Sequence, residues 1–185
     1  MMRYPPEHKE ETRGKIVKAA AKAFRKHGVD GIGVAQLMKG AKLTHGGFYA
    51  HFDSKDALVV AAIDAAFEQM RTRLETAVSD ASPDEHRRAV LDAYLSQAHR
   101  DHPEAGCVIP ALGADVSRLD AVAKRSFASG INALIELIGG EGQDSEARAA
   151  TITTLAAMVG GMVLARAVRP DALSQEILDA VRNMA

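Results

Sequence analysis

Tryptophan is absent from the 185-residue chain, cysteine occurs once, proline six times, and aromatic residues make up only 4% of it. One cysteine excludes an intramolecular disulfide, and with it the small disulfide-framed scaffolds. So little proline, beside fifteen glycines, excludes collagen-like and low-complexity chains. A hydrophobic share of 47% with 25% charged residues is too apolar for intrinsic disorder and enough for a sizeable core. The opening residues MMRYPPEHKE lack the apolar run of a secretory signal. The longest uncharged run, Ala149 to Ala165, falls short of the roughly 18–20 strongly apolar residues of a spanning helix and includes three threonines, so it is expected to be buried. A reducing cytoplasm and no membrane partner are the expectations. The period-two alternation that marks a strand is also missing, as is any internal repeat.

Charge is present but unevenly placed. The formal net charge of the whole chain is -1. Residues 1–53 hold ten Lys/Arg (Arg3, Lys9, Arg13, Lys15, Lys18, Lys22, Arg25, Lys26, Lys39, Lys42) against five acids (Glu7, Glu10, Glu11, Asp30, Asp53), a surplus of five positive charges that leaves the remainder at -6. A basic head on an acidic body is the footprint of a module for nucleic acid or another anionic surface; a solvated helix face is the plainer alternative.

Periodicity is helical nearly everywhere. Ile16, Ala19, Ala20, Ala23 and Phe24 mark one face of a first helix, with Lys15, Lys18, Lys22, Arg25 and Lys26 largely outside it and His27-Gly28 as its stop. Two short helical stretches follow, Val34 to Lys39 and His45 to Phe52. From Ser54, an N-cap with Asp56 in the first turn, the stripe Val59, Ala62, Ile63, Ala66, Phe67, Met70, Leu74 and Val78 runs on. Ser82-Pro83-Asp84-Glu85 opens a helix ending near His99, and residues 102–115 read as a loop with a short helix. Ser117 and Asp120 open a helix that Gly139, Gly140 and Gly142 stop. Asp144 caps a helix apolar almost all round, and Asp171 introduces a last one along Leu173, Ile177, Val181 and Met184. A helix apolar on all sides needs two partners, one of which can be a second chain.

The block from Thr12 to Leu58 carries Thr12-Arg13, Ile16, Ala19-Ala20, Phe24, Gly28, Val34, Leu37, Ala41, Phe48-Tyr49, His51-Phe52, Ser54, Lys55 and Leu58. In these positions it resembles the DNA-binding region of the tetracycline-repressor (TetR) family of transcriptional regulators. The resemblance implies an all-α chain with an N-terminal three-helix helix-turn-helix DNA-binding domain, residues 1–53, followed by a helical effector-binding and dimerisation domain, residues 54–185. It also implies a homodimeric repressor released from palindromic operator DNA by a small-molecule effector, with no cofactor or metal.

The residues themselves suit that role. A recognition helix enters a groove about 12 Å wide, which favours small or polar residues at its start and an apolar rear face. Thr44 is a good N-cap, Gly46 and Gly47 allow close backbone approach at roughly 1 kcal/mol each in helix propensity, and Phe52 can point back at Phe24 and Leu37. Tyr49 and His51 match family positions that touch phosphate, ordinary packing being the alternative. Lys55 can meet a phosphate beside free N–H groups at a helix start. His45 stands where the family reads bases. Lys42 stands where the family has a turn glycine, a place suited to positive φ that costs other residues on the order of 1 kcal/mol, and Gly33 replaces a capping Thr or Ser.

The second half holds little that suggests catalysis: no phosphate loop, nucleophile elbow or zinc-helix motif. His99, Asp101 and His102 are read as a polar, solvated helix end in preference to metal ligands. Cys107, after Gly106, resembles an element through which some family members sense electrophiles or oxidants; the alternative is a small buried hydrophobe. A sensing thiolate would have to be accessible, with Arg118 or His102 adjacent. Tyr94, Cys107, Phe127 and Met158 are the candidate effector pocket, and equally plausible core. The dimer interface is expected from Ile152, Leu155, Val159, Gly160, Val163, Leu173, Ile177 and Val181. The competing function is an all-α ligand-binding protein or enzyme whose basic head binds another polyanion.

Overall fold

The computed structural model describes residues 6–82, 85–140 and 142–184. Among them the regular structure is helical throughout: α1 (Pro6–His27), α2 (Val34–Gly40), a 3₁₀ segment (His45–Ala50), α3 (Lys55–Val78), α4 (His86–Tyr94), α5 (Gln97–Asp101), a 3₁₀ turn (Pro103–Ala105), α6 (Ile109–Val116), α7 (Ala121–Gly139), α8 (Ser145–Ala167) and α9 (Leu173–Arg182). The class is all-α, as the periodicity predicts.

Capping chemistry sets the helix starts. Ala57 donates its N–H to Ser54 Oγ at 3.0 Å, Ala123 to Asp120 Oδ1 at 2.8 Å and Ala147 to Asp144 Oδ1 at 2.8 Å. Gly28 (φ 75°) and Gly140 (φ 79°) end α1 and α7 in the left-handed region that glycine tolerates. The Ser82 N–H and hydroxyl donate to the Glu85 carboxylate at 3.2 and 2.6 Å, half of a capping box. Pro83 and Asp84, the rest of that predicted start, lie outside the described residues. The single helix expected from there to His99 is two: α4 ends at Tyr94, and Ser96 starts α5 by accepting the His99 N–H at 3.3 Å. A serine bonding forward to a new turn competes with continuation of the old helix.

One buried cluster runs through head and body alike, with Phe24 and Leu37 in the same core as Phe67, Met70, Tyr94 and Met158. The α3 stripe is buried as read, from Val59 through Leu74. Two faces differ from expectation. In α1, Val17 and Ala21 are buried beside Ile16, Ala20 and Phe24, because the helix packs on α3 along one side and on the segment around Gly106 along another. Arg25, placed on the solvent side by its neighbours, is 5% exposed. Its guanidinium donates to Ala21 O (3.1 Å), Gly106 O (2.8 Å) and Gln69 Oε1 (2.8 Å), and these acceptors satisfy a group that would otherwise be costly to bury.

The second difference concerns the C-terminal pair. By length and hydropathy α8 is the one described helix apolar enough to cross a membrane, yet it is packed against α6, α7 and α9. Thr154, Leu155, Met158, Met162 and Ala165 are buried on it, while Ile152, Val163 and Leu164 are 43–55% exposed. The run read as buried is buried on one side only. In α9 the buried residues are Ser174 and Leu178, and the predicted stripe turns outward, with Leu173 and Met184 exposed and Ile177 and Val181 half-buried.

Candidate nucleic-acid interface

The turn between α2 and the 3₁₀ segment is closed by two bonds, Leu43 N–H to Met38 O at 2.9 Å and Lys42 N–H to Lys39 O at 3.0 Å. This pairing is the Schellman arrangement, which puts the residue after the C-cap into the left-handed region. That residue is Lys42, at φ 60° the single non-glycine with positive φ among the described residues. The ammonium is thereby carried on an exposed, strained turn. At the other end of α2, where Gly33 offers no capping side chain, Gln36 Oε1 accepts the Gly33 N–H at 3.3 Å.

Residues 45–50 form a 3₁₀ helix, not the α-helix the sequence suggests. Two consecutive glycines lower α propensity enough for the tighter local form to hold the segment. Thr44 sits at its N-cap in an extended conformation, but its hydroxyl makes no capping bond; the Gly47 N–H goes to the Thr44 carbonyl at 3.1 Å. The segment is pinned from behind by aromatics. Phe48 is buried, stacks on Phe52 at 5.8 Å and meets the Tyr49 ring edge-on at 5.2 Å, while Arg13 lies over Phe52 at 4.6 Å. The outward face is left polar and open: Thr44, His45 and Gly46 are exposed, a Cβ on Gly46 would meet nothing within 4 Å, and Tyr49 is 67% exposed. An aromatic so exposed beside two buried ones is not there for the core. Gly47 and Lys55 are half-buried, Gly47 turning toward Met38.

His51, half-buried, ends the segment, and its Nδ1 is buried without a hydrogen-bond partner among the described residues. Burial first, then the cations Lys9 and Arg13, hold its pKa below the usual imidazole range. A cleft of about 340 Å³ opens beside it, lined by His8, Lys9, Thr12, Leu43, Ala50 and His51. Lys9 and Arg13 were not singled out from the sequence as part of the site. Their spacing on α1 carried a signal only once the distance from α1 to the segment was known.

The body's candidate pocket residues do not line a cavity of this kind. Tyr94, Cys107, Phe127 and Met158 are all buried, and none of them lines the clefts beside Asp64, Asp120, Arg87 or His51. They are packed around a polar knot. His99, expected in solvent, is fully buried: its Nδ1–H donates to Tyr94 O at 2.6 Å and its Nε2 accepts the Cys107 N–H at 2.8 Å, so the ring is held neutral. Burial lowers its pKa to about 4. Arg166 donates to His99 O at 2.7 Å, and a Cβ on Gly106 would collide with the His99 ring. Burial likewise pushes the Cys107 thiol up, against the pull of Tyr94, Arg166 and Arg25. Arg118 instead pairs with Asp115 at 2.7 Å and His102 faces Glu104 at 3.6 Å, so the conditions for a reactive thiolate are not met in this conformation. No cluster of metal-ligating residues occurs among the described residues.

Of the expected interface residues, Ile152, Val163 and Leu173 are exposed, Val159, Gly160, Ile177 and Val181 are half-buried, and Leu155 belongs to the core. Gly160 faces open space, whereas Gly161 lies under Val181 of α9, 2.9 Å from where a Cβ would sit. Leu164, at 55% the most exposed leucine in the body, was missed although it lies one turn after Gly160.

Comparison with known proteins places this geometry. Residues 16–62 match the family described as bacterial regulatory proteins, tetR family. The HTH-type transcriptional regulator TtgR of Pseudomonas putida is 40% identical over 68 residues, covering 37% of this chain and 32% of TtgR. The HTH-type transcriptional repressor NemR of Escherichia coli (strain K12) is 26% identical over 131 residues, covering 69% of this chain and 65% of NemR. The chain thus spans about a third of the first relative's length and just under two thirds of the second's. A TetR transcriptional regulator from Chloroflexus aurantiacus J-10-FL superposes with a TM-score of 0.79 at 24% identity over 95% of this chain and 94% of that one, a likeness of fold. Residues 16–62, the helix-turn-helix with Phe48 and Phe52 packed behind an exposed Tyr49, are thus the part of the chain that matches the tetR family of bacterial regulatory proteins, and the remainder shares the fold of such regulators.

Proposed function

We propose that the protein is a ligand-responsive transcriptional repressor, a homodimer that binds a palindromic operator and leaves it when a small molecule binds. The observation that carries this is the recognition segment, whose exposed face is Thr44, His45, Gly46 and Tyr49 on a head with a positive surplus. Residues 1–53 serve DNA; residues 54–185 serve the effector and the second copy. Lys42, Tyr49, His51 and Lys55 hold phosphates, which positions the head without reading sequence, and His45, with Thr44 and the open backbone at Gly46 and Gly47, meets base edges. The partner copy sits on the exposed apolar side of α8 and α9, around Gly160, in an isologous contact. The effector enters between α4, α7 and α8, where two adjoining cavities of about 430 and 310 Å³ share Arg87, Ile138 and Gly139. Their size suits a small organic molecule better than the filled core around Tyr94 does.

The experiment is a binding titration with DNA from upstream of the protein's own gene at two salt concentrations. Affinity should fall steeply with salt. Lys55→Ala should weaken binding to every sequence alike and make the salt slope shallower by about one per subunit. His45→Ala should change which variants bind best, at roughly 1–3 kcal/mol for each base it reads. Uniform scaling by His45→Ala removes that residue from base reading, and salt-independent binding removes the DNA reading itself.

A further inference from the structure

The cleft beside the recognition segment is lined by apolar Leu43 and Ala50, by Thr12, by the cation Lys9 and by the imidazoles of His8 and His51. We propose that this cleft seats one stretch of DNA sugar-phosphate backbone, and that His51 takes up a proton when it does so, so that DNA affinity rises as pH falls. The proposal rests on the DNA-binding reading above and adds to it a second contact surface, on α1, and a proton.

Geometry puts a backbone strand there. A 3₁₀ segment of six residues at about 2.0 Å rise is roughly as long as the major groove is wide, so a strand must pass each of its ends. His51 follows the C-terminal end, and α1 brings Lys9 and Thr12 to the same opening. A deoxyribose is an apolar body with phosphates on either side, which suits a cleft whose lining combines Leu43 and Ala50 with a lysine and an imidazole.

The proton follows from the charges around the ring. From α1 the groups are His8, Lys9 and Arg13, the last stacked on Phe52. Of the carboxylates of that turn, Glu10 is exposed, and Glu11 is engaged by Lys15 at 2.8 Å and lies 4.0 Å from His8. Leu43 and Ala50 are neutral, and Asp53, two residues on, is exposed. Burial, two cations and an unpartnered Nδ1 therefore disfavour the charged form of the ring in the free protein. A phosphate drawn in by Lys9 reverses the local field, and the ring gains a proton from solvent without any other bond changing. A contact to backbone carries no sequence preference, so the test needs no operator.

The probe is a short mixed-sequence duplex at low salt, titrated by fluorescence anisotropy between about pH 6 and pH 8, where an ordinary histidine changes charge. Affinity should rise by up to about tenfold per subunit for each pH unit lowered. His51→Gln should bind with that slope gone, while His8→Gln and His45→Gln keep it. Lys9→Gln should lose about one unit of salt slope per subunit and leave the fold intact. Should His51→Gln fail to fold, the His51 ring resonance of the wild-type protein, followed against pH with and without duplex, should show its midpoint rise on binding. A flat wild-type pH response, a slope retained in His51→Gln, or an unmoved ring midpoint overturns the proposal while DNA binding stands. Failure to bind any duplex at low salt overturns the DNA-binding reading.

Discussion

Head and body of this molecule expose opposite kinds of group. Around the recognition segment the exposed side chains are Lys42, Thr44, His45 and Tyr49, and the backbone is held at φ 60° at a lysine to carry one of them. In the body the exposed outliers are apolar, Val122 on α7 and Ile152, Val163, Leu164, Leu173 and Met184 in the C-terminal region, while Arg25 of the head and His99 and Ser174 of the body are buried between elements. A polar face with local strain suits a polyanion, and an apolar face on a helix pair suits another copy of the same pair. Between the two there is no bare linker. Arg25 ties α1 to Gly106 and Gln69, and the Val29 N–H donates to Asp115 Oδ2 at 3.1 Å, so residues 102–116 are bonded directly to α1 and the turn after it.

Placing a charge on the apolar face should have the largest effect. Gly160→Glu gains helix propensity and has room for its side chain, so the fold should survive while the dimer does not. Light scattering should report monomer, and DNA affinity should fall by about a hundredfold or more once a single head must bind without its linked second copy. A dimer of unchanged mass would assign the interface elsewhere.

Next in size is acid. His99 is neutral and buried with a pKa lowered from 6.5 to about 4, so the unfolded chain binds more protons between these values. Its contribution is complete above about pH 6.5 and is lost as pH falls toward 4, up to about 3 kcal/mol per subunit. Denaturant titrations from neutral pH to about pH 5, above most carboxylate titrations, should show the decline, and His99→Gln should be less stable but flatter across that window. A wild-type protein equally stable at both ends would contradict the buried knot.

The smallest effect is expected in the head. Lys42→Gly relieves a left-handed residue worth on the order of 1 kcal/mol but returns about half of that as unfolded-chain entropy, so the melting temperature should rise by only ~1–2 °C. Because the ammonium is removed as well, DNA affinity should fall even as stability rises. A lower melting temperature would mean that Lys42 holds the turn by some other contact.

Those features that were legible in the sequence are local ones. Ser54, Asp120 and Asp144 cap the helices they precede, Gly28 and Gly140 end theirs, and Lys42 takes the positive φ expected of a turn glycine, because each depends on a few consecutive residues. What failed depends on distant partners. Arg25 and His99 look like surface residues until the carbonyls of Gly106 and Tyr94 are seen to meet them. The outward turn of the α9 stripe agrees with the interface expected at Leu173, Ile177 and Val181, whereas the inward turn of Leu155 does not: amphipathicity says that a stripe is covered, not by which chain. Two glycines warned of weak helicity in residues 45–50, and that weakness appears as 3₁₀ in place of α, with Phe48 and Phe52 packed behind the segment.

The proposed presentation of two basic heads by a pair of apolar-faced bodies is tested directly by a nuclease footprint on DNA upstream of the protein's own gene. Two protected half-sites related by a two-fold axis, with centres one turn or a multiple of roughly 34–36 Å apart, are the predicted result. A single asymmetric patch, or no protection at low salt, would contradict it.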